Sequence, residues 1–109
     1  MSGSDLFTGT LNILILKTLR GGALHGYAIG RWIRDHGQGV LSVEEGALYP
    51  ALHRLNGKGL LEAEWGRTET GRRAKFYELT VEGRRFLVSE TRRWELFSGA
   101  VAGILDEAG

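Results

Sequence analysis

The chemistry this chain can offer is concentrated in one stretch, residues 42–65 (SVEEGALYPALHRLNGKGLLEAEW), and in the basic tract that follows it. Leu48, Ala51, Leu52 and Leu55 recur at i, i+3, i+4 and i+7, which marks one stripe of a helix for burial against a core. The opposite stripe carries Gly46, Tyr49, Pro50 and His53, with Arg54 at its flank. That face is small, aromatic and able to hydrogen-bond, and it holds no carboxylate. Beyond it, residues 67–75 read RTETGRRAK, so that Arg67, Arg72, Arg73 and Lys75 stand against Glu69 alone. A readable helix face followed by a cationic tract suits a nucleic acid: side chains of the first reach base edges, and cations of the second neutralise phosphates. Arg54 is the member of the face able to make a bidentate contact to guanine. Surface loops also carry Arg and Lys for solubility alone. The tract's place directly behind a candidate reading helix is what favours the phosphate role.

Bulk properties narrow the alternatives. The chain has 109 residues, 42% hydrophobic and 25% charged, enough for one domain with one modest core. A formal charge of +1 means that a nucleic-acid role must come from local placement of charge. With no cysteine there is no disulfide framework, thiol nucleophile or thiolate metal site. His25, His36 and His53 lack metal-ligand spacing and no Ser-His-Asp grouping is legible, so neither an enzyme, a metal nor a cofactor is expected. The opening MSGSDLF lacks the features of a signal peptide, and the longest aliphatic run, 13–16, is too short to span a bilayer. The chain reads as cytoplasmic, with no membrane partner.

Four helices and a hairpin are expected to position these groups. The first helix, over 8–19, follows Ser4, Thr8 or Thr10 as candidate caps, is apolar on nearly every side and ends at Gly21-Gly22. A second, over about 25–36, presents Ile29, Trp32, Ile33 and His36 to the core and stops at Gly37. Tyr27, in its first turn, either packs on the core rim or donates to a phosphate beside the helix N-terminus. The third helix has two candidate starts. Ser42 and Glu45 would form a capping box, but that start puts Pro50 in the helix interior at a cost of about 3 kcal/mol. A start near Gly46 leaves Pro50 close to the first turn and is preferred. After a turn through 56–59, Leu61, Ala63 and Trp65 alternate with Glu62, Glu64 and Gly66 as a half-buried strand. A second strand over 74–80 has an ambiguous inward face, because Phe76 and Tyr77 are adjacent, and Gly71 supplies the positive φ of the bend between them.

Thr80 caps a last helix that runs without proline to about Asp106, roughly 40 Å, longer than so small a domain can cover. Leu87, Trp94 and Val101 are spaced by sevens, with Phe97 and Ile104 between and beyond them, giving a short coiled-coil-like seam. A second copy is the expected partner, since most soluble oligomers are symmetric homo-oligomers; folding back on its own domain is the alternative. Trp32, Trp94 and Phe97 form a candidate pocket for a small-molecule effector, or simply core.

The motifs LHGYAI (24–29), EEGALYPALHRL (44–55), EAEW (62–65), RRAKFYELT (72–80) and EGRR (82–85) resemble those of the PadR family of winged helix-turn-helix transcriptional regulators, in order and spacing over nearly the whole chain. The short form, with a single C-terminal helix, is the closer likeness. The resemblance implies a mainly α fold with a small β-hairpin: a winged helix-turn-helix domain over 1–80 and a long dimerisation helix over 81–109. It implies a homodimeric repressor on double-stranded DNA, placing Tyr49, Pro50, His53 and Arg54 at the groove, Tyr27 and Lys75 on phosphates, and Arg72 and Arg73 in the wing. Gly46, Arg67 and Thr68 complete the candidate DNA-binding set. Two-fold symmetry would make the operator an inverted repeat with half-sites about one helical turn apart. The competing class is a winged helix that binds a partner protein and tolerates neutralisation of Arg72, Arg73 and Lys75.

Overall fold

The computed structural model describes residues 3–108, with side-chain surroundings from Gly9 onward. The order is α1 (Gly3–Thr18), a 3-10 turn (Leu19–Gly21), β1 (Leu24–His25), α2 (Gly26–His36), α3 (Glu45–Gly57), β2 (Leu61–Arg67), β3 (Arg73–Leu79) and α4 (Val81–Leu105). The expected mainly helical architecture with a hairpin is present. It gains a strand: β1 adds to the hairpin to make an antiparallel sheet in the order β1-β3-β2, pairing Leu24 with Tyr77 and His25 with Phe76.

The core lies where α1, α2 and α3 meet the sheet. Leu11, Ile15 and Leu16 enter it from α1, Leu19 from the 3-10 turn, Ile29 and Ile33 from α2, and Leu61, Tyr77 and Leu79 from the sheet. The expected stripe of α3 is buried in full: Leu48, Ala51, Leu52 and Leu55. Burying four such side chains is worth several kcal/mol by area, so α3 is held from behind by its apolar stripe.

Several expectations need correction. Helix α1 starts at Gly3, so Ser4, Thr8 and Thr10 lie within it rather than capping it; the side chains of Ser4 and Thr8 fall outside the described residues. On α2, His36 is exposed, its ring stacked on Trp32 at 3.8 Å between centroids. Gly37 ends α2 at φ −84, and the left-handed residues are the next two, Gln38 and Gly39. Helix α3 starts at Glu45 with Glu44 as an N-cap that makes no side-chain bond. Pro50 is therefore inside the helix, one position deeper than expected, where it cannot donate to the Gly46 carbonyl. The four buried residues outweigh that loss.

The ends of α3 and α4 are locked together. Leu60 N–H donates to the Leu55 carbonyl at 3.0 Å across Gly59, which has φ 77, a left-handed cap of the Schellman kind. The Thr80 hydroxyl donates to the Gly59 carbonyl (2.7 Å) and accepts from Gly83 N–H (2.9 Å), so the residue that caps α4 also ties it to the end of α3. Leu87 on α4 is 7% exposed and joins the core of its own domain, which removes it from the expected seam. Beyond it, Trp94, Phe97, Val101 and Ile104 remain exposed on the single chain.

Candidate nucleic-acid interface

The register of the hairpin sorts its side chains onto two faces. Residues opposite each other in an antiparallel pair share a face, and the pairs Leu61–Leu79, Ala63–Tyr77, Trp65–Lys75 and Arg67–Arg73 alternate with Glu62–Glu78, Glu64–Phe76 and Gly66–Ala74. The first face begins in the core and ends as a cationic surface. The second carries Glu62, Glu64 and Glu78 around Phe76, whose ring meets His25 edge-on at 5.3 Å. A polyanion is attracted to the first face and repelled by the second.

Trp65 departs from the expected half-buried strand. The alternation runs through it, but the core ends at Ala63, and Trp65 is 57% exposed. The Arg73 guanidinium lies over its ring, 4.7 Å from the centroid. The wing's cations keep their charge for a partner: among the described residues the ion pairs are Arg85–Glu82 and Arg93–Glu90, both within α4. Arg67 uses one donor on the Gly71 carbonyl (3.0 Å). Gly71 itself has the expected positive φ, 84, and Thr68 closes the tip by accepting from Arg72 N–H while its own N–H donates to the Arg72 carbonyl at 2.8 Å. Arg72 and Arg73 are exposed at this tip.

On α3, Gly46, Pro50 and His53 lie opposite the buried stripe, with Tyr49 and Arg54 at the two flanks, and all five are exposed. Tyr49 is the hinge between this face and the rest of the surface. Its ring sits against Gly26 at the start of α2, so close that a Cβ there would meet the Tyr49 ring at 2.6 Å. Tyr77, on the core end of the cationic face, is near enough to feel it: burial first, and the Tyr49 phenol second, raise the Tyr77 hydroxyl above its ordinary pKa. Tyr77 thus stays neutral in the physiological range. Tyr27 stands exposed in the first turn of α2, which His25 caps by accepting the Ala28 N–H on Nδ1 at 3.3 Å. The α2 start and the α3 face thus meet at the seat of the Tyr49 ring on Gly26.

Gly26 and Trp65 are the residues that sequence reasoning missed here. Nothing in the spacing marks Gly26; the signal for Trp65 is its place two residues before the basic tract. Replacing Gly26 by alanine is expected to push the flexible Tyr49 ring off its seat with a small effect on melting temperature. It should weaken binding of a duplex by about tenfold, the scale of one good side-chain contact, measured by titration of the variant against the parent. Unchanged affinity would mean that Tyr49 is not held for DNA.

A second feature lies away from this surface. Between α1, residues 41–43 and α4 is a groove of about 500 Å³, with Leu11, Leu14, Leu41, Trp94, Phe97 and Val101 among its lining residues. Trp94 and Phe97, 6.2 Å apart by ring centroid, share it. Trp32 does not line it. No group of three or more His, Asp or Glu that could hold a metal occurs among the described residues, and no helix there is long and apolar enough to cross a membrane.

Residues 15–89 match the family described as "Transcriptional regulator PadR-like family". The chain is 36% identical over 80 residues to Transcriptional regulator Rv3488 of Mycobacterium tuberculosis, which covers 73% of this chain and 71% of that one. Among solved structures it is similar to a PadR family transcriptional regulator of Eggerthella lenta, with TM-score 0.78 and 34% identity over 95% of this chain and 88% of the other. It is likewise similar to a transcriptional regulator of Clostridium thermocellum, with TM-score 0.81 and 29% identity over 91% and 96% of the two chains.

Proposed function

Because this chain belongs to the PadR-like family of transcriptional regulators, we propose that it regulates by binding duplex DNA as a homodimer, each copy reading one half of an inverted repeat. The observation that carries the proposal is the two-faced wing: its cationic side continues from the core face that meets α3, and its acidic side is turned the other way. In this reading α3 enters the major groove, where Tyr49, His53 and Arg54 contact base edges and Gly46 and Pro50 permit close approach. Lys75, Arg72, Arg73 and the exposed Tyr27 hold phosphates and set the register without reading sequence; Arg67 and Thr68 shape the tip. Repression follows from occupying promoter DNA. The members of the family are regulators rather than enzymes. Such a regulator works in the cytoplasm.

Residues 1–80 then form the DNA-binding unit and 81–109 the dimerisation helix. Trp94, Phe97, Val101 and Ile104 supply the apolar contact to the second copy, and the groove between α1 and α4 is where that contact, or an apolar effector, is received. Leu41, Ser42 and Val43 form one wall of the groove and lead at Glu44 into α3. An occupant of the groove thereby has a short route to the reading helix, which is how a signal would release the operator.

Footprinting the DNA upstream of the protein's own gene tests this reading. Two protected patches about one helical turn apart, on one side of the duplex, are expected. Trp94→Glu should turn the dimer into a monomer in light scattering, because a carboxylate in the seam has no partner, and should abolish the paired footprint. A Trp94→Glu protein that remains dimeric places the seam elsewhere, and the absence of any footprint for the parent contradicts DNA regulation at that site.

A further inference from the structure

Trp65 is a large apolar ring left 57% exposed on the outer wing, and an exposed indole calls for a reason. It stands on the cationic face, opposite Lys75 in the register, with Arg73 over its ring at 4.7 Å. We infer that Trp65 is a positioning residue: its ring holds the Arg73 guanidinium in place at the wing tip so that its donors are presented to a phosphate. The inference rests on the reading of the wing as a DNA contact and names a residue that stands behind that contact, outside the set already assigned.

The physical case compares two ways of fixing an arginine. A carboxylate would order the guanidinium but would accept its hydrogen bonds and cancel its charge, leaving less for a phosphate. An aromatic face attracts the cation through its quadrupole and accepts none of the five in-plane N–H groups as a carboxylate would. At an exposed site that attraction corresponds to a bias of roughly two- to fivefold in population. The available carboxylates of the hairpin strands, Glu62, Glu64 and Glu78, alternate onto the opposite face, so the sheet register keeps them from competing. Trp65 therefore orders Arg73 without using it up.

The test is a double-mutant cycle on the intact protein with a fluorescein-labelled duplex from upstream of its own gene, read by anisotropy. Arg73→Ala should weaken binding by about tenfold or more, as expected when one phosphate goes unbound in each half of a dimer. Trp65→Leu, which stays apolar but removes the ring, should weaken it two- to fivefold, and Trp65→Leu with Arg73→Ala should be no weaker than Arg73→Ala alone. Trp65→Phe should bind within about twofold of the parent. In the free protein, ring-current shifts on the Arg73 side-chain protons should persist in Trp65→Phe and vanish in Trp65→Leu. If the two effects multiply, Trp65 touches DNA itself or acts through the fold, and the inference is overturned while the interface reading stands. A parent protein with no salt-sensitive binding to any duplex overturns the interface reading, and this inference with it.

Discussion

Replacing Arg72 and Arg73 together by alanine is expected to weaken binding to every duplex by at least about 100-fold near 0.1 M salt. Four guanidinium groups leave a dimer, and each phosphate that is no longer neutralised reduces the slope of log affinity against log salt by about 0.9. The slope should therefore flatten by up to roughly 3 to 4. Affinity for operator and for scrambled DNA should fall by similar factors, since these residues hold the backbone and leave base reading to α3. Folding should survive the change. Both side chains are exposed, and the bonds that close the tip, Thr68 N–H to the Arg72 carbonyl and Arg72 N–H to the Thr68 hydroxyl, use backbone atoms of residue 72 that alanine retains. A melting temperature within a few degrees of the parent is the control. An unchanged salt slope in a folded protein would remove the wing from the mechanism and favour the partner-protein class.

Gly83→Ala is expected to be the most damaging single-methyl change to the fold. Gly83 lies in the first turn of α4, where a Cβ would run into the Leu60 carbonyl oxygen and crowd Leu79 at 3.2 Å. The obstacle is backbone, and it belongs to the turn that Thr80 binds through Gly59. Neither side can yield without breaking the junction between α3, β2 and α4. Overpacking against so stiff a neighbour costs about 3 kcal/mol or more, which lowers the melting temperature by roughly 10 to 20 °C in a domain of this size. Gly99 and Gly103 offer the contrast: a Cβ at either meets nothing within 4 Å in the chain. Alanine at Gly99 should leave the fold intact or stabilise α4 by about 1 kcal/mol, the difference in helix propensity. Thermal unfolding of the two variants side by side separates close approach from mere flexibility; equal melting temperatures would show that the α4 junction is not tight.

What could be read from the residues alone followed from where a period is long enough to repeat. The α3 stripe has four members at helical spacing, and all four are buried; the face opposite them was fixed by the same count. The hairpin followed from alternation on both sides of Gly71. Strand β1 has two residues, too few for any period, and exists because β3 offers an edge to Leu24 and His25. Alternation also says which face a residue is on without saying where along the strand the core stops, and Trp65 lies past that point. The spacing by sevens on α4 had the same weakness. Leu87 is covered by its own domain, whereas Trp94, Phe97 and Val101 only border the groove against α1 and stay more than a third exposed. His36 satisfied a helical stripe and is nevertheless exposed, since α2 is ending there and Trp32 offers its ring instead. The cost of Pro50 taken in isolation favours a later start to α3. Four buried neighbours decided otherwise.

The most direct measurement is a fluorescence-anisotropy titration of the parent protein with the duplex upstream of its own gene and with a scrambled duplex, each at two salt concentrations. Tighter binding to the upstream duplex, falling steeply with salt for both, is the result expected of a wing that holds phosphates and a helix that reads bases. Equal, feeble and salt-insensitive binding to the two duplexes would contradict it.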